Sequence, residues 1–246
     1  MLRNTQAIPL AIYPYSSTSQ IVHWISYKYG IIATILKGSM REKSPFLNQF
    51  ELFGTSKLSF FYNDKKNLYS TEACTIMKNR SVYRKNWRAM QSASYISYLY
   101  YKILPEKSPT PEFYNHFEFL LDITDKYNYL PFYIIWSELY FLQKQGNAPQ
   151  FNHCTICKNK DINSFSIEQG GSCCKKCSKI ISSPLIYFPL DVQAVLKTIQ
   201  RKETPADLVN LKVSKKQIKI MHPILNAFMS KTYQLKPQHR NAALAA

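Results

Sequence analysis

Two cysteine pairs, Cys154-Thr155-Ile156-Cys157 and Cys174-Lys175-Lys176-Cys177, constrain this chain more than any other feature. Sixteen residues separate them, which fits the C-x₂-C-x₁₅₋₂₀-C-x₂-C spacing of a structural zinc site. Two residues between cysteines make a tight knuckle that aims both sulfurs at one point. Four thiolates from two facing knuckles close a tetrahedral shell around Zn²⁺ and leave no position open for substrate. The intervening Asn163-Ser164-Phe165-Ser166-Ile167 alternates polar and apolar residues as a short strand does, and Gly170-Gly171 allows a turn into the second knuckle. The expected ligands of one structural zinc per chain are therefore Cys154, Cys157, Cys174 and Cys177. Cys173 lies outside the x₂ register, and His153 precedes the first knuckle as a possible substitute ligand. A disulfide framework is the alternative reading; it requires an oxidising compartment that nothing else in the sequence marks.

The chain has 246 residues, enough for one large domain or two to three small ones, and 46% of them are hydrophobic. Its first residues hold no basic segment followed by an apolar one. The longest apolar runs, 31–36 and 132–136, are far too short to span a bilayer. The expectation is a soluble cytoplasmic protein with reduced cysteines and no membrane partner. The net charge is +17, distributed as +6 over residues 1–80, +1 over 81–153, +3 over 154–180 and +7 over 181–246. Basic ends around a near-neutral middle attract polyanions, nucleic acid foremost. A genome-wide bias towards Lys, Tyr and Asn is the competing explanation.

Residues 1–80 read as β structure. Candidate strands are Ile8–Tyr13, Gln20–Ser26, Ile31–Lys37, Phe50–Tyr62 and Leu68–Met77, with turns at Tyr29-Gly30 and 63–67. Five short strands suit a small barrel, and the OB-fold is the five-stranded Greek-key barrel that binds oligonucleotides. Aromatic and basic residues interleave here, as single-strand binding requires: bases stack on rings while cations follow phosphates. Strand aromatics such as Trp24 are more readily core than platform. The loop cations Lys37, Arg41, Lys43, Lys65 and Lys66 are the candidate nucleic-acid contacts.

From residue 81 the pattern becomes helical. A helix carrying Trp87, Met90, Ile96, Leu99 and Ile103 stops before Pro105. A second opens at Thr110-Pro111-Glu112 and runs to Lys126. A third opens at Pro131 and ends at Gln145, with Gly146 closing it. Most of their aromatics are core; any left exposed would make a groove for a partner's apolar segment. Beyond the cysteines come a helix over 190–200, a short one from Thr204-Pro205, and a last helix. The last helix is opened by the capping box Ser214-Lys215-Lys216-Gln217, with Pro223 expected to kink or break it. Residues 236–246 read as a frayed tail. The fold class is α+β: an OB-fold barrel over 1–80, then an α-helical domain over 81–246 carrying a four-cysteine ribbon at 154–177.

No phosphate-binding loop, nucleophile elbow or His-x-Glu accompanies these elements, so a binding protein is expected and not an enzyme. Several stretches resemble the bacterial recombination mediator family RecO. Lys37-Gly38-Ser39-Met40-Arg41-Glu42-Lys43-Ser44 after Tyr29-Gly30 is similar to its glycine-and-basic segment. Gly146-Asn147-Ala148-Pro149 before the first knuckle, and Gly170-Gly171-Ser172-Cys173-Cys174 into the second, are similar to its ribbon. The first hairpin departs from the pattern: Tyr15-Ser16-Ser17-Thr18-Ser19 lacks the acidic residue common there. The resemblance implies a DNA-repair and homologous-recombination factor, associated with the nucleoid. Such a factor binds single- and double-stranded DNA and the C-terminal tail of single-strand binding protein. It pairs with RecR, anneals strands and indirectly helps load RecA. A zinc-ribbon transcription or RNA-binding factor is the alternative.

Overall fold

The structure is a computed structural model that describes residues 1–245. The chain divides into two compact units, Met1–Asp125 and Lys126–Ala245.

The first unit opens with five strands: β1 (Leu2–Pro14), β2 (Gln20–Ser26), β3 (Gly30–Leu36), β4 (Thr55–Phe61) and β5 (Leu68–Lys78). They close a barrel in the order β1-β2-β3-β5-β4. Every pairing is antiparallel except β3 with β5, which is the OB-fold arrangement. Inward-facing Val22, Trp24, Leu36, Leu58 and Phe60 fill the interior. Trp24 is fully buried, and its indole N–H donates to Thr34 Oγ1 at 2.9 Å, as a buried indole requires. Gly30, at φ +64°, makes the β2–β3 turn; a Cβ there would meet the Ser108 carbonyl oxygen at 2.0 Å, so only glycine fits. The strand expected over 50–62 begins only at Thr55. Phe53 has a positive φ of 68° that breaks extended pairing, and its carbonyl accepts from Arg80 Nη1 at 2.6 Å.

Helices α1 (Val82–Lys85), α2 (Trp87–Ile103) and α3 (Pro111–Tyr127) follow. Asn86 caps α2 by accepting from the Ala89 N–H at 3.0 Å. Arg80, buried at the barrel rim, fixes α3: its Nε donates to Asp122 at 2.8 Å and its Nη1 to Thr55 Oγ1 at 3.1 Å, while Thr55 donates to Glu118 at 2.7 Å.

In the second unit, α4 (Tyr133–Lys144) is buried from Tyr133 to Leu142. Such all-round burial explains a continuous apolar run with little periodicity. Strands β6 (Ser164–Ser166), β7 (Gly171–Cys173) and β8 (Leu185–Tyr187) form a three-stranded sheet in the order β7-β6-β8, with the short helix α5 (Lys175–Ser178) in the second knuckle. Helix α6 spans Leu190–Gln200, and a 3₁₀ turn spans Pro205–Leu208.

Ser214 and Gln217 form the expected capping box of α7 (Lys215–Tyr233). The break allowed for at Pro223 and the frayed tail are not found among the described residues. Pro223 neither breaks nor ends α7: the proline lies on its exposed side, while Met221, Ile224, Leu225 and Phe228 hold the helix by burial. The tail is not frayed. It forms α8 (Pro237–Ala245), whose buried Arg240 makes a two-pronged ion pair with fully buried Glu138 of α4, at 2.6 and 2.9 Å. No helix among the described residues is long and apolar enough to cross a membrane.

Candidate metal centre and nucleic-acid interface

The four cysteines converge. The sulfurs of Cys154, Cys157, Cys174 and Cys177 all lie within 4.8 Å of one another. Cys157 Sγ and Cys174 Sγ are 3.6 Å apart, close to the ~3.8 Å edge of a tetrahedron with metal–sulfur bonds of ~2.3 Å. All six cysteines of the chain are free thiols in this structure.

Backbone bonds set each knuckle. The Cys154 N–H donates to the Asn159 carbonyl at 2.8 Å, the Lys158 N–H returns to the Cys154 carbonyl at 3.0 Å, and Lys158 takes a positive φ of 64° to close the loop. In the second knuckle Cys174 is the N-cap of α5 and accepts from the Cys177 N–H at 3.5 Å. The two are tied together where the Thr155 N–H donates to the Ser172 carbonyl at 2.9 Å and the Ser172 N–H to Gln150 at 2.8 Å. Gly171 permits that approach, because a Cβ on it would meet the Gln150 carbonyl oxygen at 2.6 Å. Beneath the sheet, Phe151, Phe165, Phe188 and Phe228 form a buried ring cluster.

The thiols are electrostatically graded. Burial pushes the Cys154 thiol up, but N–H groups of Cys157, Cys174 and Ile156 outweigh it and bring it down to about 6. The Cys177 N–H lowers the Cys174 thiol in the same way. Cys177 is pushed up to about 12, first by the thiol of Cys157, then by burial. The N–H donors at Cys154 and Cys174 favour thiolate, the form in which cysteine binds a metal. These residues can hold a metal ion. Cys173 is outside the cluster, near Thr155 Oγ1 at 3.8 Å, with a thiol raised by burial. His153 sits against the carbonyl of Cys154 at 3.3 Å and is not among the clustered donors.

Lys37, Arg41, Lys43, Lys65 and Lys66 are all exposed, but they form two groups. Lys37, Arg41 and Lys43 follow β3 and pack with the β1–β2 loop: the Gly38 N–H donates to Ser19 Oγ and the Met40 N–H to the Thr18 carbonyl. Lys65 and Lys66 lie in the β4–β5 turn. Because β5 begins parallel to the middle of β3, with Leu68 opposite Ala33, that turn falls beside the start of β3. The two groups therefore stand at opposite ends of β3, roughly 20 Å apart along a strand rising about 3.3 Å per residue. Trp24 is core, and Tyr29 is stacked with Tyr62 at 5.9 Å between ring centres. Among the aromatics of these helices, Trp87 is exposed while Phe117, Phe132, Trp136 and Tyr140 are buried, so these four line no exposed groove.

Both parts of the chain match family models: Recombination protein O N terminal over residues 1–80, and Recombination protein O C terminal over residues 84–241. The chain belongs to the recombination protein O family. It is 28% identical to the DNA repair protein RecO of Thermodesulfovibrio yellowstonii over 204 residues, which is 82% of this chain and 80% of that one. It is 25% identical to the DNA repair protein RecO of Thermoanaerobacter sp. over 240 residues, covering 96% and 94%. With the Bacillus subtilis DNA repair protein RecO it shares 25% identity over 186 residues, covering 72% and 69%. The similarity thus spans both the barrel and the helical, cysteine-bearing part.

Proposed function

We propose that this chain is a DNA-repair and homologous-recombination mediator that acts without catalysing a reaction, in the cytoplasm and at the nucleoid. The observation that carries this reading is the match of both parts of the chain to recombination protein O, joined to an OB-fold whose exposed loop cations flank β3. Lys37, Arg41 and Lys43 at one end, and Lys65 and Lys66 at the other, screen the phosphates of single- and double-stranded DNA. Two strands so neutralised approach and anneal, and binding weakens steeply with salt.

The four cysteines hold one structural zinc. Soft thiolates in a closed set suit that ion, which supplies folding energy to a ribbon too small to have a large core. The partners are the acidic, apolar C-terminal tail of single-strand binding protein, RecR, and through them RecA. The second unit offers such a tail exposed Ile180, Tyr187 and Leu190 on an uncharged stretch, and residues 154–246 as a whole carry a positive net charge.

The test is annealing of complementary oligonucleotides coated with the cognate single-strand binding protein. Acceleration without ATP, lost when the coating protein lacks its tail, is the expected result. Tight DNA binding with no acceleration would refute the mediator reading.

A further inference from the structure

The usual ligand face of an OB-fold is the outer surface of strands 2 and 3. Here that face is occupied at its middle. The Tyr101 ring of α2 packs edge-on against His23 of β2 at 5.0 Å, and Tyr13 of β1 meets the same imidazole at 5.7 Å. A different part of the barrel is open. Between the β2–β3 turn and the outer faces of β1, β4 and β5 lies a pocket of about 470 Å³, lined by Asn4, Gln6, Tyr27, Lys28, Lys57 and Met77 among others, a size suited to a small organic group. No carboxylate lines it. Tyr27 is 39% exposed, yet its ring is held: it meets buried Tyr114 edge-on at 5.6 Å and 89°, and its backbone N–H donates to the Gln6 carbonyl at 2.9 Å. The Lys28 N–H donates to Thr5 Oγ1 at 3.2 Å, which fixes the turn that carries both side chains. Lys57 comes from the facing strand, opposite Gln6 in the β1–β4 register.

We propose that this pocket seats one nucleotide of a single strand, its base stacked on Tyr27 and its flanking phosphates on Lys28 and Lys57, on the β1–β4 side of the barrel instead of the β2–β3 face. Four features fit that occupant together: a ring fixed in place and partly open, two cations on either side, carboxamides of Asn4 and Gln6 able to meet base edges, and no opposing negative charge. A duplex keeps its bases stacked inside and cannot use the ring, so the seat discriminates single from double strands. The inference rests on the DNA-binding reading above and adds where the strand lies.

The experiment measures anisotropy of fluorescein-labelled oligo(dT) and of a duplex of equal length against the full chain. Tyr27→Leu is expected to weaken oligo(dT) binding roughly 5- to 150-fold, the range of losing one stacked base. It should leave duplex binding nearly unchanged, and Tyr27→Phe should restore wild-type affinity. Lys28→Ala with Lys57→Ala should reduce the single-strand salt slope by about 1.4, two phosphates' worth. Photo-crosslinking of a 5-iododeoxyuridine oligonucleotide to wild-type protein, mapped by mass spectrometry, should label the peptide containing Tyr27, and this needs no variant to fold. Wild-type binding with unchanged Tyr27→Leu affinity, or crosslinks confined to residues 37–43, overturns the seat while the DNA reading stands. Equal losses on single strand and duplex overturn it as well. A Tyr27→Leu effect on sedimentation but not on affinity makes the face a self-association surface and also overturns it. Absence of any wild-type DNA binding removes both readings.

Discussion

Arg240→Met tests the most consequential contact that local sequence does not announce. In the native chain the guanidinium gives two charge-assisted bonds, at 2.6 and 2.9 Å, to a Glu138 carboxylate with no solvent exposure. Removing one member of a buried ion pair leaves a desolvated charge behind and costs about 3–5 kcal/mol. In a unit of this size that corresponds to a fall in melting temperature on the order of 10 °C. The double variant Arg240→Met with Glu138→Met replaces both charges by apolar groups of similar length and should recover most of the loss. Urea and thermal melts, followed by circular dichroism, give both numbers. A single variant that loses under about 1 kcal/mol, or a double variant no better than the single, refutes the argument that α8 is anchored by this pair.

The same node has a pH signature. His222 Nδ1 lies 3.3 Å from Arg240 Nη2, and burial, then the Arg240 charge, lower its pKa to about 4 against a smaller opposing pull from Glu138. Between pH 6.5 and 4 the unfolded chain binds a proton there that the folded chain does not. Stability contributed by neutral His222 is therefore full above pH 6.5 and declines as pH falls towards 4, by up to roughly 2 kcal/mol for a side chain still partly open to solvent. His222→Gln should flatten that part of the stability profile.

Other consequences follow from the ribbon and the barrel. Purified protein should contain about one zinc per chain by elemental analysis. Cys174→Ser should lower both metal content and melting temperature, whereas Cys173→Ser should leave metal content unchanged; a zinc-free wild type with the same melting point would refute the site. Gly171→Ala forces a methyl against the Gln150 carbonyl and should destabilise the ribbon by about 1–3 kcal/mol, measurable as faster zinc loss to a chelator. Arg41→Ala with Lys43→Ala should flatten the salt slope of oligonucleotide binding by about 1.4, and an unchanged slope would move the phosphate contacts elsewhere.

What sequence could reveal here follows the range of the forces involved. Helix α6 and strand β2 have the bounds read from the sequence, and the Ser214–Gln217 cap is set by neighbours within a few residues. The cysteine spacing foretold convergence because knuckle geometry is local and the metal shell needs four donors at one point. Tail helix α8 escaped because its decisive partner, Glu138, is 102 residues away, and a lone arginine among polar residues carries no sign of burial. Strand β8 escaped because three residues after a proline gain strand character only from pairing with β6. The separation of Lys37 from Lys65 depends on where β5 meets β3, a register set by barrel closure and by nothing in either loop. On the proposed DNA-binding reading, that register matters more than the loops' composition. It places the cations at the two ends of β3, while Tyr101 on His23 takes the surface between them. A strand bound as proposed would bend around the barrel or pass along its other side, where Tyr27, Lys28 and Lys57 are exposed.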